Sequence, residues 1–176
     1  MIKHAILLIA LVFFTQPSFC QARSGIGFGT GINKPFTAMF EAATGLILHT
    51  DVKITDRSAL SIIGDMERFI PKSAYRIDDE RAGRNFVGYV GLGIHYRRYM
   101  FHNLFLEGGP NLCFSAGDRD VMDISLGGTL AIGYTFPISR HHAVNLAVDV
   151  NYLRIDYNRV RFKGFLGGKA AYSFRF

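Results

Sequence analysis

A row of glycines near the start of the chain is the first candidate for chemistry, as a phosphate-binding loop. It reads Gly25-x-Gly27-x-Gly29-x-Gly31. Glycine loops that cradle phosphate open a helix and commonly end in Gly-Lys-Ser/Thr. Here the spacing is strictly two, no helical pattern follows and no such ending is present. The row therefore predicts a strand whose glycines leave room for long side chains from neighbouring strands.

A second candidate for chemistry is the pair His141-His142. A protein metal site needs three or four ligands at suitable spacing. The pair falls in a predicted turn between Pro137 and His142, and no further ligands can be placed beside it. We therefore expect solvated histidines, and neither a metal nor a cofactor.

The charged residues follow a period of two, which is most regular at the end of the chain. From Val160 to Phe176 the even positions are apolar, aromatic or glycine, and the odd positions carry four cations. This period indicates strands with two unlike faces. It recurs in segments long enough to cross a bilayer when tilted. The predicted strands are Ser24–Asn33, Ala38–Lys53, Ser58–Phe69, Asn85–Tyr99, Leu104–Ser115, Val121–Phe136, Ala143–Ile155 and Val160–Phe176. In the second strand, Phe40 is expected on the outward, lipid-facing row.

These segments predict an all-β fold, an eight-stranded antiparallel transmembrane β-barrel. An even strand number and closure are what single-chain outer-membrane barrels require, because an open sheet edge is not tolerated in lipid. The charged stretch 70–84 is expected to be a long external loop, and Pro110 predicts a bulge or kink. Aromatic residues near strand ends predict interfacial girdles: Tyr96, Tyr99, Phe101, Tyr134, Phe136, Tyr152, Tyr157, Phe174 and Phe176.

The first 22 residues differ from the rest. Lys3 and His4 precede an apolar run from Ala5 to Phe14, and Cys20-Gln21-Ala22 offers small residues for cleavage. This pattern predicts a cleaved signal peptide over residues 1–22 and a barrel domain over 23–176. Only Cys113 then remains, so we expect no internal disulfide. The net charge of +6 includes no arginine cluster suited to nucleic acid.

The inward face of the predicted barrel is rich in charge. An eight-stranded barrel has an interior just wide enough for side chains, and buried charges must be paired. The sequence therefore predicts a lumenal salt-bridge network that plugs the barrel, with the cations of the last strand filling the space over the glycine row. Its predicted members are Glu41, Asp51, Asp65, Glu67, Arg97, Glu107, Asp123, Asp149, Arg161, Lys163, Lys169 and Arg175.

Two motifs carry a resemblance to a known family. Phe105-Leu106-Glu107-Gly108-Gly109-Pro110 follows a strand that ends His95-Tyr96-Arg97-Arg98-Tyr99. Together they resemble the core of a Bacteroidota outer-membrane β-barrel family, the porin-like or PorT-like proteins, with an eight-stranded barrel of the OmpA/OmpX type. Where that family often has an apolar-Pro-Leu run, this chain has Val90-Gly91-Leu92-Gly93-Ile94. The resemblance implies fold and outer-membrane location, but no single activity.

The terminal aromatics Tyr172, Phe174 and Phe176 resemble the signal read by the barrel-assembly machinery. We expect a structural or interaction role in the envelope, with outer-membrane lipid, that machinery and an envelope or surface protein as partners. A small pore and a soluble lipocalin-like carrier remain alternatives. A lipid-modifying enzyme is a third, but the barrel deacylases carry a late His-x-Ser-Asn pattern, and Val150–Asp156 lacks both its histidine and its serine. We therefore predict no enzymatic activity.

Overall fold

The computed structural model describes residues 22–76, 86–100, 103–116, 122–157 and 160–176, and its strands form one closed antiparallel barrel. Each strand pairs with its neighbours in sequence, and the last strand pairs with the first to close the sheet. The strands are β1 (Gly25–Pro35), β2 (Ala43–Thr55), β3 (Ser58–Phe69), β4 (Val87–Tyr99), β5 (Leu104–Ala116), β6 (Met122–Pro137), β7 (His142–Tyr157) and β8 (Val160–Arg175). No helix in the described residues is long and apolar enough to span a membrane.

The apolar rows of the strands point outward, as the alternation predicts. On β6, Leu126 is 79 % exposed and Leu130 is 66 % exposed, whereas Thr129 and Ala131 between and beside them are buried. The same contrast holds on β1, where Phe28 is exposed and Asn33 is buried. An apolar belt around a closed barrel is the surface that lipid requires. The predicted fold class is therefore confirmed.

The two ends of the barrel have connections of different length. At one end, residues 56 and 57 alone join β2 to β3, and the termini of the sheet at Gly25 and Arg175 lie together. In this turn Lys53 Nζ donates to Asp56 Oδ1 at 2.6 Å, which lowers the pKa of that exposed carboxyl. The opposite end carries the longer connections, 36–42 and 70–86. By the usual arrangement, short turns face the periplasm and longer loops face outward.

The bulge predicted at Pro110 is wrong. Strand β5 keeps one register with β4 from Gly88↔Ala116 to Tyr99↔Phe105, and pairing lapses only beside the proline, which has no N–H to donate. The neighbouring Gly109 lets the strands come close, since a Cβ there would lie 2.1 Å from the carbonyl oxygen of Ile94.

A register shift occurs instead between β7 and β8. Tyr152 pairs with Gly164 and Ile155 pairs with Phe162, so two residues of β7 face the single residue Lys163. Gly164 has a φ of 137°, a backbone conformation that L side chains rarely adopt. This is the geometry of a bulge, and it breaks the inward and outward alternation near the start of β8.

Candidate functional site

The barrel interior is filled, and its buried side chains form three layers. A polar layer lies between two apolar clusters, which we call the roof, at the end with the longer loops, and the floor, at the end with the short turns. The roof consists of Met39, Phe40, Ala43, Phe69, Val87, Tyr89, Cys113, Leu153 and Phe165. The floor consists of Ala22, Ala59, Tyr99 and Phe105.

Part of the roof comes from the loop between β1 and β2, which folds over the lumen. Phe40 forms an isolated bridge with Pro71, and Lys72 N–H donates to the Met39 carbonyl at 2.8 Å. These bonds hold the Phe40 ring over Phe69, at 6.4 Å between centroids. The Phe69 ring in turn packs at 5.6 Å against Phe165. Stacked aromatic rings therefore close the lumen at this end. The sequence predicts Phe40 on the lipid face, which is wrong because β2 starts only at Ala43.

The floor closes the opposite end with fewer residues. The rings of Tyr99 and Phe105 lie 5.8 Å apart, edge to face. Tyr99 is 6 % exposed, so its predicted place in an interfacial girdle is wrong. Ala22 is fully buried here and donates its N–H to the Asp56 carbonyl at 2.7 Å.

Arg97 organises the polar layer next to the floor. Its Nη1 donates to Asp51 Oδ2 at 2.8 Å, and its Nε donates to Glu107 Oε2 at 2.6 Å. Ser61 donates to the other oxygen of Asp51 at 2.6 Å. The guanidinium also lies 4.6 Å from the centre of the Phe105 ring. One cation on β4 thus pairs with two buried carboxylates, from β2 and β5.

A hydrogen-bonded chain of polar side chains continues from this group to β7. Its direction is set at its far end, where an Asn151 amide N–H donates to Asp149 Oδ2. The Asn151 oxygen must then accept from Thr129, and Thr129 accepts from Asn111. The Asn111 oxygen accepts at 2.7 Å from His95 Nε2, whose Nδ1 lies 3.3 Å from Glu107 Oε1. Both ring nitrogens of His95 therefore face oxygen atoms of the polar layer.

A second chain connects the polar layer to the floor. His49 Nε2 lies 3.0 Å from Ser173 Oγ, which accepts from Asn145 Nδ2 at 2.7 Å. Thr135 donates to the Asn145 oxygen at 2.7 Å, and the Tyr99 hydroxyl lies 3.4 Å from Thr135. This chain links polar groups from five strands, β2, β4, β6, β7 and β8. A cavity of about 40 Å³ remains beside His49 and Glu107, which is room for roughly one to three water molecules.

The structure brings together seven of the residues predicted for the lumenal network and places the others elsewhere. Arg175 is half-buried at the floor end, and Asp123 and Arg161 have side chains outside the described residues. Glu41 and Lys163 are exposed, so their predicted lumenal positions are wrong. Glu41 precedes β2, and Lys163 lies opposite the β7 bulge. The seven are Asp51, Asp65, Glu67, Arg97, Glu107, Asp149 and Lys169.

The space over the glycine row is occupied by groups other than those predicted. A Cβ on Gly27 would lie 2.2 Å from His49 Cε1, and one on Gly29 would lie 2.2 Å from the Ala170 carbonyl oxygen. A histidine of β2 and the backbone of β8 therefore need these glycines, and the cations of β8 do not. The neutral polar members of the network, such as Asn145 and Ser173, were also not predicted, although they stand on the same inward rows as the charges.

The histidine pair at the predicted turn makes contacts with the backbone and with aromatic side chains of β8, apart from the polar layer. His141 Nδ1 lies 3.0 Å from the Arg175 carbonyl oxygen, and the His142 ring contacts the Tyr172 hydroxyl. Phe174 packs against both histidines and is exposed, as is Phe176. In the described part of the chain, no group of three or more His, Cys, Asp or Glu side chains is arranged to hold a metal.

The sequence matches no protein-family model and no curated protein. Among solved structures, the chain is similar to Neisserial surface protein A, with a TM-score of 0.58 and 11 % identity over 87 % of this chain and 97 % of that one. It is similar to the outer membrane protein AlkL, studied in DMPC lipid bilayers, with a TM-score of 0.52 and 9 % identity over 93 % and 96 %. It is also similar to Ail, the attachment invasion locus protein of Yersinia pestis, with a TM-score of 0.51 and 11 % identity over 88 % and 99 %.

At these identities the likeness shows the fold alone, which is that of the eight-stranded outer-membrane β-barrel. The outward apolar rows of all eight strands agree with that fold. The chain is therefore an outer-membrane barrel with a polar interior closed at both ends.

Proposed function

We propose that this chain is a closed, non-conducting barrel that has a structural or interaction role in the cell envelope. The observation that carries this proposal is the layering of the lumen, in which the Arg97 ion pairs lie between an aromatic roof and a floor. An aqueous pore needs a continuous path, and an eight-stranded barrel has only enough interior for side chains. Asn151, in the region nearest to the deacylase pattern, is fully buried under the roof and is out of reach of a lipid substrate.

The interaction role would belong to the longer loops at the roof end. The chain between β1 and β2 is fixed against residues 70–72 by backbone hydrogen bonds, so the roof also supports part of the surface that these loops present. The fold is known to carry such a role, since Ail is named as an attachment invasion locus protein. We propose an envelope or surface protein as the partner of this surface, and membership in the Bacteroidota porin-like or PorT-like family remains part of the proposal. So does recognition of Tyr172, Phe174 and Phe176 by the barrel-assembly machinery. Cleavage of residues 1–22 is also part of the proposal; it would remove Ala22 and leave Ala59, Tyr99 and Phe105 as the floor.

Planar-bilayer recording of the refolded mature chain tests the closed lumen. We expect no steady single-channel steps, in preparations whose insertion is verified by the heat-dependent shift of a folded barrel on a gel. A reproducible unit conductance in salt solution would contradict the proposal and favour a pore. Addition of protease to intact cells tests the orientation, because cleavage within residues 70–84 is expected only if the roof end faces outward.

A further inference from the structure

The apolar belt on the outer wall of the barrel has a gap at Gly64. This glycine stands on the outward row of β3, opposite Leu48 of β2 on one side and Leu92 of β4 on the other. Both leucines are more than half exposed. Besides its chain neighbours, a Cβ at position 64 would have a single atom of the described residues within 4 Å, Leu92 Cδ2 at 3.8 Å. No described side chain therefore fills the gap.

The gap opens into a groove of about 400 Å³ on the lipid-facing wall. Outward apolar side chains line this groove, with Phe28 on the β1 side and Met66 beside Gly64 toward the roof end. Ile47 and Asp65 also border the groove, but both are buried on inward rows. The volume lies in the range of small-molecule sites, roughly 300–1,000 Å³. Because its outward lining is apolar, the groove suits a hydrocarbon chain.

A cation stands at the roof end of this groove. Arg68 follows Met66 on the same outward row, so the two Cα atoms lie about 7 Å apart at the usual rise of a strand. The guanidinium carbon of Arg68 lies 4.0 Å from the centre of the Phe86 ring, just before β4. The Arg68 side chain is exposed and takes part in none of the ion pairs of the described residues. Its N–H groups therefore face the surroundings of the barrel.

We propose that this groove binds one membrane lipid with an anionic phosphate headgroup, whose acyl chain lies over Gly64 and whose phosphate lies on Arg68. Arginine matches the geometry of phosphate oxygens with two parallel N–H bonds. Strands of a membrane barrel tilt by about 40°, so Arg68 stands roughly 10 Å nearer than Gly64 to the membrane surface at the roof end. A lipid has its parts in the same order, with the charged headgroup at the surface and the acyl chain beneath it. The site lies outside the lumen and does not depend on whether the lumen conducts.

A second copy of the barrel is the competing occupant of this wall. A stable protein interface covers about 800 Å² on each partner, and it would need an acid to meet Arg68. Every strand Asp and Glu whose side chain is described is buried in the lumen: Asp51, Asp65, Glu67, Glu107 and Asp149. The described outer wall of a second copy therefore offers no carboxylate to this arginine, whereas an anionic lipid supplies both the charge and the chain.

The test uses the folded mature barrel in detergent, mixed with phosphatidylglycerol or with phosphatidylcholine that has the same acyl chains. The headgroup of the first lipid has a net negative charge, whereas the second carries a compensating ammonium. Native mass spectrometry counts the lipids retained on each barrel. We expect one retained lipid, with phosphatidylglycerol preferred at least about threefold because it pairs with an exposed arginine.

Two variants separate the headgroup contact from the chain contact. Arg68→Met should lower phosphatidylglycerol retention to that of phosphatidylcholine, whereas Arg98→Met, on the outer face of β4 near the floor end, should keep the preference. Gly64→Leu fills the groove and should weaken retention of both lipids to the same degree. Gly168→Leu is its matched control on the outward row of β8, where a Cβ also meets open space, and it should retain lipid as the wild type does.

A photoreactive lipid tests the site in the wild-type barrel, without any variant. Phosphatidylglycerol with a diazirine on one acyl chain should label β2, β3 and β4 in preference to the other strands. Even labelling around the barrel would overturn the proposal, as would equal retention of the two lipids by the wild type. Equal lipid retention by Gly64→Leu and Gly168→Leu would also overturn it. If Gly64→Leu instead abolished a barrel dimer and left lipid retention unchanged, the groove would belong to a second copy. Each of these results leaves the conductance test of the closed lumen unaffected.

Discussion

Replacement of Arg97 by methionine tests the polar layer most directly. Methionine keeps much of the length of the side chain but removes the charge and all donors. Asp51 and Glu107 would then lose the bonds of 2.8 Å and 2.6 Å that Arg97 gives them. Both carboxylates are buried, at 8 % and 6 % exposure, so at most the few water molecules that fit in the adjoining cavity of about 40 Å³ could take the place of the guanidinium.

The expected effect is large. Removal of one partner from a buried ion pair costs about 3–5 kcal/mol, and here two carboxylates lose the same partner, so at least about 4 kcal/mol of the free energy of unfolding should be lost. Arg97→Lys should recover only part of it, because an ammonium is a point charge and cannot copy the fork that reaches both acids. Combining Arg97→Met with Asp51→Asn and Glu107→Gln should recover more, since no unpaired charge is then buried.

Arg98→Met is the matched control. This neighbour has the same side chain but is exposed on the outer face of β4, and its replacement should change the free energy of unfolding by about 0.5 kcal/mol or less. The chain has no tryptophan, so denaturant unfolding in detergent is followed by far-UV circular dichroism and by the gel shift. If Arg97→Met were as stable as Arg98→Met, the ion pairs would not hold the interior together.

Two further predictions concern residues for which position within the barrel decides the outcome. Gly27→Leu should impair folding, because the new side chain collides with His49. Gly168→Leu should fold normally, since a Cβ there meets no atom within 4 Å. The refolding yields of the two variants are compared by gel shift, and equal yields would argue against close packing over the glycine row. Lys169→Met should lower the free energy of unfolding by about 3 kcal/mol or more, because it leaves a buried carboxylate without its cation. Lys163→Met changes an exposed position and should alter the denaturation midpoint little. Similar losses in both variants would mean that Lys163 also lies in the lumen.

The strands and the direction of their faces could be predicted from the sequence because the period of two reports them directly. Strand β3 starts and ends where the alternation does, at Ser58 and Phe69. The period cannot show where a chain leaves the sheet, so the sequence predicts Phe40 on the lipid face, whereas it lies in the roof. Nor can the period show a bulge. The sequence therefore predicts Lys163 in the lumen, whereas the positive φ of Gly164 marks a break in the alternation beside it.

The sequence predicts which face of the sheet the charged residues lie on better than it predicts which of them pair. Alternation places Asp51, Glu107 and Arg97 on inward rows but says nothing about their height in the barrel. That height depends on the register between strands, which brings Ala59 opposite Arg97 and Arg97 opposite Glu107. The sequence therefore predicts that charged side chains fill the lumen. It does not predict that Arg97 pairs with two carboxylates, or that three carboxylates lie around Lys169.

The cross-links of the polar layer have a consequence for how the barrel comes apart. Arg97 on β4 reaches Asp51 two strands away, and His49 on β2 reaches Ser173 on β8 across β1. Separating one of these strands from the closed sheet would break such a bridge and expose unpaired polar or charged groups to the hydrocarbon. Partly open intermediates are therefore unfavourable, and the barrel unfolds in one cooperative step.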